Sequence, residues 1–273
     1  REEPLPALVL DAEAADDAIP SLQEAGFPAD PVRSRARSGP GSVSGNLSAP
    51  GSPVSSGAQA GAAARPAVSI AGMATATLDV PDRRGREALL EALALAFRDN
   101  PMNRAIHGPS PRRRVRANRA GLRALVLDAH PWTRTRVIAN ENGIVGGYVA
   151  VPPGRFPLPG ASLRRQLGCL FAQGAKAMDR WGFVTDALRR EHPSGPRWYV
   201  AVLGVRPEVW RRGYGARLLE ALTSGAAEAP CPIYLESDRA ESVAFYRARG
   251  FEVRGELAPL GVRCWRLERD LTP

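Results

Sequence analysis

The sequence predicts a mixed α/β fold, one central sheet flanked by helices, behind a low-complexity N-terminal segment. Strand-like and helix-like stretches alternate irregularly, with hairpin signals at both ends of the patterned region, which argues against a doubly wound parallel sheet. Between those ends the apolar run from Trp198 to Val205 passes through a glycine-containing loop, Arg206-Pro207-Glu208-Val209-Trp210-Arg211-Arg212-Gly213-Tyr214-Gly215-Ala216, into the helical pattern Arg217-Leu218-Leu219-Glu220-Ala221-Leu222.

The expected elements follow in order. Helices are expected over 84–98 and about 110–128. Asn142-Gly143, between Val137-Ile138-Ala139 and Ile144-Val145-Gly146-Gly147-Tyr148-Val149, is a tight hairpin signal joining strands 134–140 and 144–152. Helices should fill 162–190, a long strand 197–205, and the loop with its helix 211–228. A strand at 232–237 and a helix at 239–249 come next, with Asp238 as N-cap, Glu241 in capping-box position, and Gly250 at the left-handed position after the helix. Strands at 251–256 and 262–269 close the fold.

Upstream the pattern fails. From Ser38 to Pro66, 23 of 29 residues are Gly, Ser, Pro or Ala, and no aromatic residue occurs between Phe27 and Phe97. Such a stretch cannot bury enough apolar surface to offset its ordering entropy. Residues 1–72 are therefore expected to be a disordered tail, with 1–66 dispensable for folding and catalysis, and 73–273 the folded domain. The chain opens on Arg1, and two readings of the tail stand: a natural start at Met73, or a genuine flexible extension.

Composition narrows the function. No apolar run reaches bilayer-spanning length, and Glu2, Glu3 and Asp11 replace the basic start of a signal peptide. Cys169, Cys231 and Cys264 are odd in number and widely spaced, which suits a reduced, cytoplasmic protein. His107, His130 and His192 are scattered, so no metal site is expected. The formal net charge is +9, carried by arginines with Lys176 as the only lysine. The one cluster, Arg112-Arg113-Arg114-Val115-Arg116, reads as a solvated helix face, with an acidic-substrate or nucleic-acid patch as the rival reading; no aromatic residue is interleaved for base stacking, which argues against nucleic acid.

The loop carries the chemistry. A helix N-terminus presents free N–H groups and the positive end of the helix dipole. Gly213 and Gly215 let a phosphate approach the main chain, and Arg211 and Arg212 add fixed positive charge. The loop lacks the Gly-Lys-Ser/Thr of a Walker site and the third glycine of a dinucleotide fingerprint. What it resembles is the pyrophosphate loop of the GNAT superfamily of N-acetyltransferases, Gln/Arg-x-x-Gly-x-Gly/Ala, with Trp210 standing where the family usually has Gln or Arg. A second block, Pro232-Ile233-Tyr234-Leu235-Glu236-Ser237 followed by Phe245-Tyr246-Arg247-Ala248-Arg249-Gly250-Phe251, resembles the family's fifth strand, the next helix and its closing Tyr-x-x-x-Gly-Phe. More weakly, Ala96-Phe97-Arg98-Asp99-Asn100-Pro101 resembles the end of the family's first helix.

The resemblance implies a mostly antiparallel sheet of the acyl-CoA N-acyltransferase type and acetyl-CoA as cosubstrate. It implies pyrophosphate contacts from Arg211, Arg212, Gly213, Tyr214, Gly215 and Ala216, and a further cofactor contact at Ser242. Main-chain groups of Leu203, Gly204 and Val205 would hold the pantetheine arm and the thioester oxygen. Tyr246 becomes the candidate general acid toward the leaving thiolate, and Glu236 the candidate base; a packing tyrosine and a substrate-orienting carboxylate are the competing readings. Trp198 and Tyr199 are expected mainly in the core, with one of them able to touch the acceptor. The expected activity is acetyl transfer to a primary amine, small molecule or peptide, by direct attack in a ternary complex. The alternative is a non-catalytic acyl-CoA-binding sensor or regulatory module. A homodimer is left open.

Overall fold

The computed structural model describes residues 77–227 and 230–271, all within one compact unit; the expectations for residues 1–72 lie outside the described residues. Seven strands form one sheet in the order β1-β2-β3-β4-β5-β7-β6: β1 Thr77–Asp79, β2 Arg134–Asn140, β3 Gly143–Val151, β4 Trp198–Val205, β5 Ile233–Ser237, β6 Glu252–Leu257 and β7 Cys264–Arg269. Every neighbouring pair is antiparallel except β4–β5. The expected mixed, mostly antiparallel sheet is therefore present.

Seven α-helices cover it among the described residues: α1 Arg83–Ala96, α2 Pro101–His107, α3 Pro111–Leu127, α4 Leu163–Gln173, α5 Ala175–Arg190, α6 Tyr214–Ala226 and α7 Ala240–Arg247. α1 starts where the Asp82 carboxylate accepts from the Gly85 N–H at 2.7 Å. Its Leu89, Leu90 and Leu93 fall at helical spacing and bury against Val137, Val149 and Val202. α1 can lie this close because Gly147 and Gly204, paired across β3 and β4, have no side chains; a Cβ on Gly204 would stand 3.0 Å from both Ala96 and Leu93 side-chain carbons. On the other face, Leu218, Leu219 and Leu222 of α6 pack with Trp198, Val200, Ile233, Leu235 and Tyr246. A register shift at Val149/Ala150 is what lets β4 feed both cores, Val200 on one face and Val202 on the other.

Three sequence expectations need correction. α2 was not expected: Asn100-Pro101 reads as a helix end, but proline at the first helical position begins one. The hairpin turn is centred on Glu141-Asn142, with Gly143 already paired to Asn140. Asp238 does not cap α7, whose N-cap is Arg239 without a side-chain bond. Instead the Asp238 carboxylate accepts from Asn100 Nδ2 at 2.9 Å and the Met102 N–H at 2.8 Å, tying α2 to the end of β5. Gly250 does take the left-handed conformation, and Phe251 N–H reaches back to the Tyr246 carbonyl.

Candidate active site

The site grows from the one parallel pair. β4 and β5 match only at Trp198↔Ile233 and Tyr199↔Tyr234, anchored by the Trp198 N–H on the Pro232 carbonyl at 2.9 Å. No β4–β5 pair follows, so the strands part from Val200 onward. Clefts at the carboxyl ends of parallel strands are where open α/β sheets take ligands.

The loop from β4 to α6 stands over this opening. Pro207–Val209 form a 3-10 turn, and the Trp210 indole N–H donates to the Val205 carbonyl at 2.6 Å. The Arg239 guanidinium lies over the Trp210 ring at 4.7 Å. Trp210 thus ties the loop to the strand it leaves. It also occupies the Val205 carbonyl, one of the main-chain groups expected to be free. Arg211 (φ 62°) and Gly213 (φ 84°) are left-handed, a backbone that turns successive N–H groups into a concavity suited to an anion. Arg211 is not a glycine, so the conformation stores strain at this point. Gly213 caps α6 without a side chain, leaving the first N–H groups of the helix, Tyr214, Gly215 and Ala216, without helical acceptors. Arg211 and Arg212 are exposed. Tyr214 offers only its backbone: its ring is buried in the core and its hydroxyl accepts from Asn140 Nδ2 at 3.4 Å. Ser242 is half-buried in the first turn of α7. Leu203 packs partly into the core beneath α6.

Glu236 and Tyr246 lie on opposite faces of β5. Tyr246 packs with Ile233 and Leu235 on the α6 face, its ring 5.2 Å from Phe245 and 5.4 Å from Phe251; burial pushes its phenol above the usual value. Its hydroxyl makes no hydrogen bond to a described residue. Glu236 sits on the other face. Burial pushes its carboxyl up to about 7, outweighing the opposing pull of the Tyr234 and Tyr199 hydroxyls and, last, of Arg266. No ion pair holds Glu236 among the described residues. Tyr199 and Tyr234 flank it, and the Tyr234 hydroxyl falls short of full hydrogen-bond geometry with any described partner, so its influence on Glu236 is that of an electrostatic neighbour.

Sequence reasoning missed what surrounds Glu236. Phe156, His192, Tyr199 and Tyr234 form one ring cluster: Phe156 and His192 stack at 3.7 Å, and His192 meets Tyr234 edge-on at 4.9 Å. Of the pair Trp198 and Tyr199, Tyr199 faces Glu236, while Trp198 is buried beneath α6. His192 and Phe156 lie in separate loops, and no local spacing could have joined them.

Sheet, splay and loop together define an acyltransferase-type domain. Residues 120–251 match the model of the acetyltransferase (GNAT) family, and the chain carries a domain of that family. Acetyl transfer is the general activity this assigns. Among solved structures, the chain resembles a Drosophila melanogaster polyamine N-acetyltransferase at 16% identity and TM-score 0.53, over 72% of this chain and 100% of that one. It also resembles a Corynebacterium glutamicum structure described as histone acetyltransferase HPA2 and related acetyltransferase, at 17% identity and TM-score 0.52, over 73% of this chain and 98% of that one. At these identities the likeness is one of fold.

Proposed function

We propose that the protein transfers the acetyl group of acetyl-CoA to a primary amine by direct attack in a ternary complex. The observation that carries this reading is the placement of Glu236 and Tyr246 on opposite faces of β5, at the strand bordering the splay. The pyrophosphate would lie on the N–H groups between Arg211 and Ala216, with Arg211 and Arg212 beside it and Ser242 nearby on α7. The thioester would run along the open edge of β4 past Leu203, Gly204 and Val205, where a backbone N–H can support the oxyanion.

Each proton then has a carrier. The amine binds as a cation and gives one proton to Glu236. Its nitrogen attacks the thioester carbon, the C–N bond forms, and the tetrahedral centre expels the thiolate as the C–S bond breaks. Tyr246 supplies the proton the thiolate takes up, and the second proton, which the nitrogen sheds as the amide forms, returns through solvent to restore the phenol. A carboxyl titrating near 7 narrows the mismatch with an alkylammonium near 10.4 from about six pH units to about three. That gain would let a half-buried carboxylate without an ion pair serve as a base where a solvated one would not.

A non-catalytic acyl-CoA sensor would also use the loop, but it has no need of an unpaired, destabilised carboxyl beside the cleft. The deciding experiment follows CoA release from acetyl-CoA over a panel of primary amines. Amine-dependent release that falls in Glu236→Gln supports the enzyme. Tight acetyl-CoA binding with no amine-dependent release from any of them supports the sensor.

A further inference from the structure

The cluster around Glu236 holds buried polar atoms without a hydrogen-bond partner among the described residues, two of them able to accept. His192 Nδ1 lies 3.0 Å from the Pro193 carbonyl, which can only accept, so Nδ1 carries the proton. Burial lowers the His192 pKa, which keeps the ring neutral and makes Nε2 a bare acceptor; that atom is buried without a partner. The Tyr234 hydroxyl is buried and unpartnered in a residue that is 0% exposed. The Glu236 carboxylate is the third acceptor. The facing cation, Arg266, crosses above Gly255 on β6 and gives its Nη1 to Glu191, while its Nε stays buried without a partner. Leaving buried polar groups unpaired is costly, so such a set marks a place built for a ligand.

We propose that His192 Nε2, Tyr234 Oη and the Glu236 carboxylate form a three-acceptor receptor for the ammonium group of an unbranched primary alkylamine, with Phe156 and Tyr199 against its carbon stem. This rests on the acetyl-transfer reading above and names the acceptor class for that site. A primary ammonium carries three N–H donors, one for each acceptor, and aromatic faces favour a cation and its methylenes alike. An arylamine, uncharged at neutral pH and with two N–H donors, leaves one acceptor empty and loses the charge. An alcohol offers a single donor. His192 and Tyr234 are positioning residues here: they orient the nitrogen toward the thioester and leave the proton transfer to Glu236.

The test uses n-butylamine, aniline and 1-butanol as probes at saturating acetyl-CoA, with His192→Phe and Tyr234→Phe, which keep the rings and remove one acceptor each. Each variant should raise the KM for n-butylamine about ten- to a hundredfold, with kcat within about threefold of wild type. Acetyl-CoA affinity by calorimetry should not change. Wild type should prefer n-butylamine to aniline by about a hundredfold or more in kcat/KM and leave 1-butanol unreacted. Folded variants with wild-type KM, or a preference for aniline, overturn the receptor while leaving acetyl transfer standing. If a variant fails to fold, the wild-type preference between n-butylamine and aniline decides alone. Failure of wild type to bind acetyl-CoA overturns the acetyl-transfer reading itself, and the receptor with it.

Discussion

Arg266 stands directly opposite Glu236 in the β5–β7 register, yet its guanidinium is bound to Glu191, donating to the Glu191 carbonyl at 2.6 Å and approaching its carboxylate at 3.1 Å. Glu236 therefore has no ion pair among the described residues, and burial dominates its titration. A cross-strand Arg–Glu bridge here would have pulled the carboxyl down and left it a poor base.

Stability should show this cost. The folded-state pKa of Glu236, about 7, lies above the ordinary value of 4.5, so between those two values the folded protein holds more protons than the unfolded chain. By linkage this group's contribution to stability falls as pH rises through that window and levels off above it. Glu236→Gln should flatten the urea-midpoint curve between about pH 4.5 and 7 and be at least as stable as wild type at pH 8. A mutant midpoint curve parallel to that of wild type would show that Glu236 is an ordinary carboxylate.

The loop should discriminate between its two glycines. Gly213 is left-handed and caps α6, so Gly213→Glu adds strain and a negative charge at the expected pyrophosphate position. At Gly215 a Cβ would meet only the Phe245 ring at 3.5 Å, an ordinary contact. Calorimetry should find acetyl-CoA affinity lost or cut at least about a hundredfold in Gly213→Glu and within about threefold of wild type in Gly215→Ala. Equal affinities in both folded proteins would move the binding site elsewhere.

Tyr246→Phe removes a hydroxyl that binds no described residue, so packing should survive. General acid catalysis is worth about 10²–10⁴-fold, and water can replace part of it, so kcat should fall toward the lower figure with acetyl-CoA affinity unchanged. A mutant keeping more than half of wild-type kcat when chemistry limits the rate would return Tyr246 to the core.

The basic run of α3 splits into two kinds of arginine. Arg114 is 3% exposed and donates to the carbonyls of Arg98 and Gly108 and to Asp99 at 2.7–2.8 Å. Arg112 is exposed. Arg114→Ala takes this donor from the Arg98 and Gly108 carbonyls, leaves Asp99 to Arg98 and empties a buried site, and should cost about 3 kcal/mol, lowering Tm by about 6–12 °C, whereas Arg112→Ala should stay within about 0.5 kcal/mol. Similar melting temperatures for the two variants would show that Arg114 is a surface residue in solution.

What was legible in the sequence was local. Gly213, Gly215 and Gly250 announce themselves because each serves a turn or helix end within a few residues, and the leucines of α1 and α6 repeat at helical spacing. What was hidden was made by long-range contact. Asp238 looked like a cap because the capping pattern is local, while its real partners, Asn100 and Met102, are distant in sequence. Arg114 is indistinguishable from Arg112 until α1 packs beside it. His192 looked scattered, and only the fold brings it onto Tyr234 and Phe156.

The measurement closest to the central claim is the pH profile of kcat for formation of the N-acetylated amine, followed by mass spectrometry with n-butylamine and acetyl-CoA, in wild type and Glu236→Gln. Wild-type kcat should rise with pH through an apparent pKa of about 7 and then level, and Glu236→Gln should lose that limb together with about 10²-fold or more of the plateau rate. A Glu236→Gln protein that forms the product at the wild-type rate with the same limb would contradict it.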